Sequence, residues 1–188
     1  MIGIFTNFFE RLYKKHCADL IHIDSTSSVD RYNLPLFVFS VATPYGGLPI
    51  FALILSDETT QTLIQAFEGM KNFGIQLSKV MTDDCTSLKS AISAVWPHCL
   101  QFLCTWHFEQ AFWTWLIDGR KVPVEKRQEA INDISKLIFE KNLNEFDKKY
   151  SSLLDKYKEN SKISKRLEKD KLRAAEWAHS YRGNLIML

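Results

Sequence analysis

Leu20-Ile21-His22-Ile23-Asp24-Ser25-Thr26 is an apolar run that closes on a carboxylate, and Lys79-Val80-Met81-Thr82-Asp83-Asp84 repeats the pattern, Asp83 falling 59 residues after Asp24. A short apolar run bounded by polar residues reads as a strand of a buried sheet. Two such strands, each delivering an aspartate near its end, can hold a divalent cation between them if they lie side by side. The segments between and after them decide whether they do.

Residues 34–42 (LPLFVFSVA) and 48–55 (LPIFALIL) are rich in β-branched and aromatic residues and read as a second and third strand. Thr43-Pro44-Tyr45-Gly46-Gly47 between them is a turn signal, so the pair is expected to be a hairpin with a slightly long loop. Ser56-Asp57-Glu58-Thr59 has the composition of a helix start, and Leu63, Ile64, Phe67 and Met70 follow at helical spacing. Residues 77–81 form the fourth strand, residues 86–95 a second helix stopped by Pro97, and residues 99–104 (CLQFLC) a fifth strand; from Thr105 onward the chain reads as helical. The order β-β-β-α-β-α-β predicts a mixed sheet with helices packed on it. Right-handed crossovers then set the first and fourth strands side by side. Both aspartates come to the carboxyl ends of central strands, where open α/β sheets bind ligands. The expected fold class is α/β, a ribonuclease H-like mixed five-stranded sheet with flanking helices and a C-terminal helical insertion, divided into residues 1–118 and 119–188.

The chain has 188 residues, 46% of them hydrophobic and 24% charged, enough for a substantial core. The net charge of +2 gives no overall field favouring nucleic acid, but it is unevenly spread: residues 121–173 carry a local excess of +5 and the remainder −3. Taken by itself, a lysine-rich helical stretch is more often a solvated face than a phosphate-contacting one. Residues 124–173 read as two or three amphipathic helices, with the polar stretch 158–173 expected to be mobile. Cys17, Cys85, Cys99 and Cys104 form no CxxC pair and no secretory pattern precedes them, which favours reduced thiols inside the cell. Residues 1–9 are apolar but short and read as a helix. No apolar run has the ~20 residues needed to cross a bilayer.

Asp24 and Asp83 are the candidate metal ligands, since magnesium prefers carboxylate oxygens. The competing role for each is a turn cap bonding the following backbone; Asp84 is the expected N-cap of the helix near Thr86, which would free Asp83 to point at a metal. Cys104 and His107 form a CxxH pair at the entrance to a helix. Two ligands fall short of the four a structural zinc site uses, so a buried Cys and His that hold the helix end are favoured over zinc, with a hydrogen bond from His107 to a metal-ligating carboxylate as a further role. Trp106, Trp113 and Trp115 with Phe108 and Phe112 read as a helix core rather than as a base-stacking surface.

In this order the residues resemble the transposase domain of Mutator-like elements, the MULE family, well over residues 18–118 and loosely over residues 119–188. The matching parts are Leu20 through Thr26, the hairpin from Pro44 to Pro49 with residues 53–56, Val80-Met81-Thr82-Asp83, Ala91-Ile92 with Trp96-Pro97, and Cys104-Thr105-Trp106-His107. The resemblance implies an Asp-Asp-Glu triad using Mg2+ or Mn2+, Asp24 being the first acid and Asp83 the second, with Cys104 and His107 as the CxxH signature between the second and third. It implies DNA as partner and substrate, cleaved and joined at element ends, self-association, and a nuclear location. Glu176-Trp177-Ala178-His179-Ser180-Tyr181-Arg182 resembles the approach to the third acid, but Glu176 falls too early, and Glu140 and Glu145 are no better placed. The expectation is therefore a transposase-derived domain that is incomplete or inactive as this chain. A non-catalytic module that keeps the fold for DNA or protein contact, and a ribonuclease or exonuclease of the same fold, are the alternatives.

Overall fold

The β-rich first half of the chain builds one sheet with helices packed on it. A computed structural model describes residues 1–16, 20–26, 31–118 and 122–183. Their contacts divide them into two units, Met1–Phe102 and the described residues from Leu103 onward. The elements run β1 (Ile2–Ile4), α1 (Asn7–His16), β2 (Ile21–Thr26), β3 (Leu36–Thr43), β4 (Gly46–Ile54), α2 (Thr60–Asn72), β5 (Lys79–Thr82), α3 (Thr86–Val95) and β6 (Leu100–Leu103), then α4 (Thr105–Ile117), α5 (Val124–Ile138), α6 (Leu143–Lys156), α7 (Ser161–Lys171), α8 (Ala174–Trp177) and α9 (His179–Arg182). The sheet order is β1-β4-β3-β2-β5-β6. With β2, β3 and β4 antiparallel and β2 and β5 parallel, the sheet is mixed, and the fold is the expected ribonuclease H-like α/β arrangement.

The sheet has six strands among the described residues where five were expected. The sixth is β1, whose Ile2, Gly3 and Ile4 pair with Ile54, Leu53 and Ala52 on the outer edge of β4. Residues 1–9 had been expected to form a helix, but the helix starts only at Asn7. Three residues carry no usable period, and it is the open edge of β4 that recruits them.

The hairpin loop is shorter than expected. β3 and β4 pair as far as Thr43 and Gly46, leaving Pro44-Tyr45 to turn the chain. Gly46 takes φ +114°, a conformation that side chains disfavour, and Thr43 Oγ1 donates to Gly46 O at 2.7 Å. Further along, Phe39 pairs with Phe51 but Ser40 pairs with Pro49, so Ile50 is an extra residue in β4. This bulge accommodates Pro49, which has no N–H to give the ladder, and both Ile50 and Phe51 are buried.

The core of the first unit gathers Ile21 and Ile23 of β2, Phe37, Phe39 and Val41 of β3, Val80 of β5, and the inner faces of α2 and α3. Phe39 is wholly buried, edge-on to Phe51 at 5.7 Å and to Phe67 at 6.2 Å. α2 starts where the sequence places it. Thr59 Oγ1 caps Thr62 N–H at 3.3 Å. Hydrogen bonds from the hydroxyls of Thr59, Thr62 and Ser56 and from Thr59 N–H hold the Asp57 carboxyl far below its ordinary range.

The second unit has its own core, built on Phe108, Phe112 and Leu116 of α4, Ile134 and Ile138 of α5, Phe146 of α6, Ile163 and Leu167 of α7, and Trp177. Residues 124–173 form three amphipathic helices, at the upper end of the expected range. The stretch expected to be mobile contains α7, because Ile163 and Leu167 give even this polar segment an apolar face to bury. No described helix is long and apolar enough to cross a membrane.

Candidate metal centre

β2 and β5 are parallel neighbours, with Ile21 opposite Val80 and His22 opposite Met81. Carried two positions further, one residue past the end of β5, that register would bring Asp24 level with Asp83. Alternation sends Ile21, Ile23 and Val80 into the core, and all three are buried. His22 and Asp24 take the opposite face, as does Asp83 by its place in the alternation, two residues after Met81. The adjacency predicted for these two strands is therefore present.

Asp24 lies inside β2, opposite Val38 of β3, rather than at the strand end. It is exposed, and its carboxylate makes no hydrogen bond or ion pair among the described residues. A turn cap would need a turn after it; Ser25 and Thr26 continue the strand, and Ser27 lies outside the described residues. Asp83 follows β5 directly and is half-buried. Its Oδ1 accepts the Cys85 N–H at 3.1 Å, which steers the chain into α3. Asp84, expected to cap α3, instead sits 3.5 Å from Lys89 Nζ, and the N-cap is Cys85, whose side chain makes no capping bond. The expected division of labour is thus exchanged, since Asp83 supports the helix entrance through one oxygen while its Oδ2 accepts no hydrogen bond among the described residues.

Mg2+ is commonly held by one or two carboxylates with waters completing its octahedron. Two aspartates in parallel register fit such a hydrated ion and also Mn2+, another hard cation suited to oxygen ligands. They do not by themselves make a two-metal centre, and among the described residues no three His, Cys, Asp or Glu side chains come together as a metal-binding group. The glutamates considered for the third acid are occupied. Glu140 pairs with Lys149, Glu145 with Lys148 at 2.7 Å, and Glu176 with Arg173 at 2.7 Å.

Cys104 and His107 lie in the second unit. Cys104 is the half-buried N-cap of α4 with no side-chain capping bond. The His107 ring meets Trp106 edge-on at 4.8 Å, and its buried Nδ1 has no hydrogen-bond partner among the described residues. Sequence reasoning missed Arg182, which anchors this end of the unit. It is buried and donates to the carbonyls of Leu103 and Glu176. Burial pushes its guanidinium down to about 10, with Cys104 acting in the opposite direction. The aromatic run divides differently from the expected helix core: Phe108 and Phe112 are buried, while Trp106 and Trp113 are 60% and 38% exposed.

His179 gives the second unit an acid sensitivity. Burial, and then the charges of Arg182 and Lys141, lower its pKa from 6.5, and its Nε2 is buried without a hydrogen bond among the described residues. A lowered folded-state pKa contributes stability that is present above pH 6.5 and is lost as the pH falls through the lowered value. Wild type should therefore lose more Tm than His179→Gln between about pH 8 and about pH 5. Parallel Tm curves would refute this.

The family model described as the MULE transposase domain matches residues 20–111. Among curated proteins, Protein FAR1-RELATED SEQUENCE 4 of Arabidopsis thaliana is 30% identical over 97 residues, covering 50% of this chain and 13% of that protein. The PKS-NRPS hybrid synthetase cheA of Chaetomium globosum is 35% identical over 96 residues, covering 47% of this chain and 2% of that protein. The chain thus spans a small fraction of the length of these relatives. Similar solved structures include the simian T-cell lymphotropic virus intasome in complex with PP2A regulatory subunit B56 gamma, at 13% identity and TM-score 0.34, covering 60% of this chain and 46% of that one. The HTLV-2 integrase catalytic core domain in complex with magnesium, in a trimeric form, matches at 16% identity and TM-score 0.31, covering 61% of this chain and 80% of that one. The part of this chain that is similar to the MULE transposase domain, residues 20–111, thus spans β2 to the middle of α4 and includes both aspartates.

Proposed function

We propose that the chain is a transposase-derived DNA-processing core in which Asp24 and Asp83 hold Mg2+ or Mn2+ against a DNA phosphodiester. The single observation that supports the reading is the parallel pairing of β2 with β5, whose register, extended past Met81, would bring the two carboxylates level. When bound, the cation would supply Lewis-acid activation of the phosphodiester. The protein's part is to fix the ligands. Asp24 is held by β2 between two neighbouring strands, and Asp83 by its bond to Cys85 N–H. With two acids in place the chain is expected to bind metal and duplex DNA without cutting efficiently by itself. Its compartment, on the same reading, is the nucleus, and assembly with further copies belongs to the same proposal.

The test is Mn2+ binding by electron paramagnetic resonance, alongside nicking of supercoiled DNA. Wild type should bind Mn2+, and Asp24→Asn should weaken that binding more than about tenfold. Equal Mn2+ binding by wild type and Asp24→Asn would overturn the role of this residue. A second reading, a non-catalytic DNA- or protein-binding module, is favoured by the missing third ligand among the described residues. Its signature would be DNA affinity unchanged in both Asp→Asn variants with no Mn2+ signal in wild type.

A further inference from the structure

α7 has two contrasting faces. Ile163 and Leu167 are buried in the second unit's core, and Trp177 Nε1 donates to Asp170 O at 2.8 Å. Lys162, Lys165 and Lys169 are exposed. Their i, i+3, i+7 spacing places them within a narrow stripe opposite the buried face, spanning about 10 Å of helix axis. None of the three forms a salt bridge among the described residues. Their neighbours differ in this. Arg166 pairs with Asp170 at 2.6 Å, Lys171 with Asp147, and Lys156 with both Asp133 and Glu129. Lys158, in the turn before α7, is also exposed and outside any ion pair among the described residues. Lys162, Lys165 and Lys169 thus form a row of ammonium groups outside any ion pair among the described residues, with Glu168 the exposed acid beside them, on a helix whose opposite side is packed.

We infer that the Lys162–Lys165–Lys169 stripe is a docking surface for the sugar-phosphate backbone of duplex DNA. The inference rests on the DNA reading above and extends it to a surface separate in sequence from the two aspartates. Duplex DNA carries about one negative charge per 1.7 Å of axis, so a straight 10 Å row of cations can meet several phosphates without reading a base. A single small anion would engage only one or two of these lysines. Lysine, a compact point charge on a flexible stem, suits a backbone contact that tolerates any sequence.

The experiment uses the full 188-residue chain and a fluorescein-labelled duplex of arbitrary sequence, read by anisotropy over a salt series. The triple variant Lys162→Gln/Lys165→Gln/Lys169→Gln should bind at least about tenfold more weakly at low salt, and its log–log salt slope should fall by about 2.7, from 0.9 per neutralised phosphate. The matching triple Lys→Arg variant should retain affinity and slope. The control Lys136→Gln/Lys148→Gln removes two cations that are already paired with Asp133 and Glu145, and should change binding less than twofold, by about the scatter expected of surface charges. Circular dichroism confirms that each variant is folded. A triple Gln variant with wild-type affinity and slope, or a control that weakens binding equally, would overturn the stripe and leave the DNA reading standing. Wild type that binds no duplex at low salt would instead remove the DNA reading itself, and the stripe with it.

Discussion

Trp177→Ala should destabilise the protein by about 3–5 kcal/mol, the range for truncating a large aromatic side chain in a packed core. Trp177 is 1% exposed, stacked on Phe108 with centroids 4.7 Å apart and planes 9° from parallel, and lies 5.8 Å from Phe146. Alanine removes all this contact and opens a cavity between α4, α6 and α8. It also takes the indole N–H, at 2.8 Å, away from Asp170 O, which keeps the Arg173 N–H at 3.0 Å. Against a typical domain stability of about 5–15 kcal/mol, the loss is a large share of the total. Trp177→Phe separates the two effects. It keeps most of the stacking area and loses only the hydrogen bond, so it should cost about 1–2 kcal/mol. Urea titration followed by far-UV circular dichroism measures both. An alanine variant within about 1 kcal/mol of wild type would mean that Trp177 is not the centre of this core.

Substitutions at Asp83 should split stability from metal affinity. Its carboxylate has two duties, since Oδ1 receives Cys85 N–H at the entrance to α3 and the charge, on the proposed function, holds the cation. Asp83→Asn keeps an oxygen in place for the N–H and removes the charge. Asp83→Ala removes both. The alanine variant should lose about 1 kcal/mol, the typical worth of a side-chain bond at a helix entrance, while the asparagine variant stays close to wild type. Mn2+ affinity should fall more than about tenfold in both. Wild-type Mn2+ affinity in Asp83→Asn would remove this residue from the metal centre, and equal stability loss in the two variants would remove it from the helix entrance.

Where a segment had a strong period or strong punctuation, its structure was legible. Residues 86–95 form α3 as expected because Leu88, Ile92 and Val95 repeat at helical spacing and Pro97 follows. The adjacency of β2 and β5 followed from handedness alone. What escaped depends on partners distant in sequence. β1 is a strand only because β4 offers it an edge, and Ile-Gly-Ile by itself announces nothing. The exposure of Trp106 and Trp113 reflects the geometry of α4, whose inner positions are already taken by Phe108, Phe112 and Leu116. Local sequence could not tell Asp83 from Asp84 as the residue that bonds the α3 entrance, since both stand within reach of that backbone. That Lys162, Lys165 and Lys169 stand outside any ion pair among the described residues became visible only in the structure, where Asp133, Glu145 and Asp147 are engaged by other cations.

The bulge in β4 bears on how this hairpin tolerates changes in its own length. Because Ile50 has no counterpart in β3, losing that one codon would leave every neighbouring pair intact, from Thr43 with Gly46 through Ser40 with Pro49 and on to Phe39 with Phe51. The penalty would be one buried isoleucine and a proline now embedded in an uninterrupted ladder. Losing one codon at Leu48 or Leu53 would instead turn the residues on one side of the gap inside out. Relatives of this domain that differ by a single residue in the hairpin should therefore carry the difference at position 50.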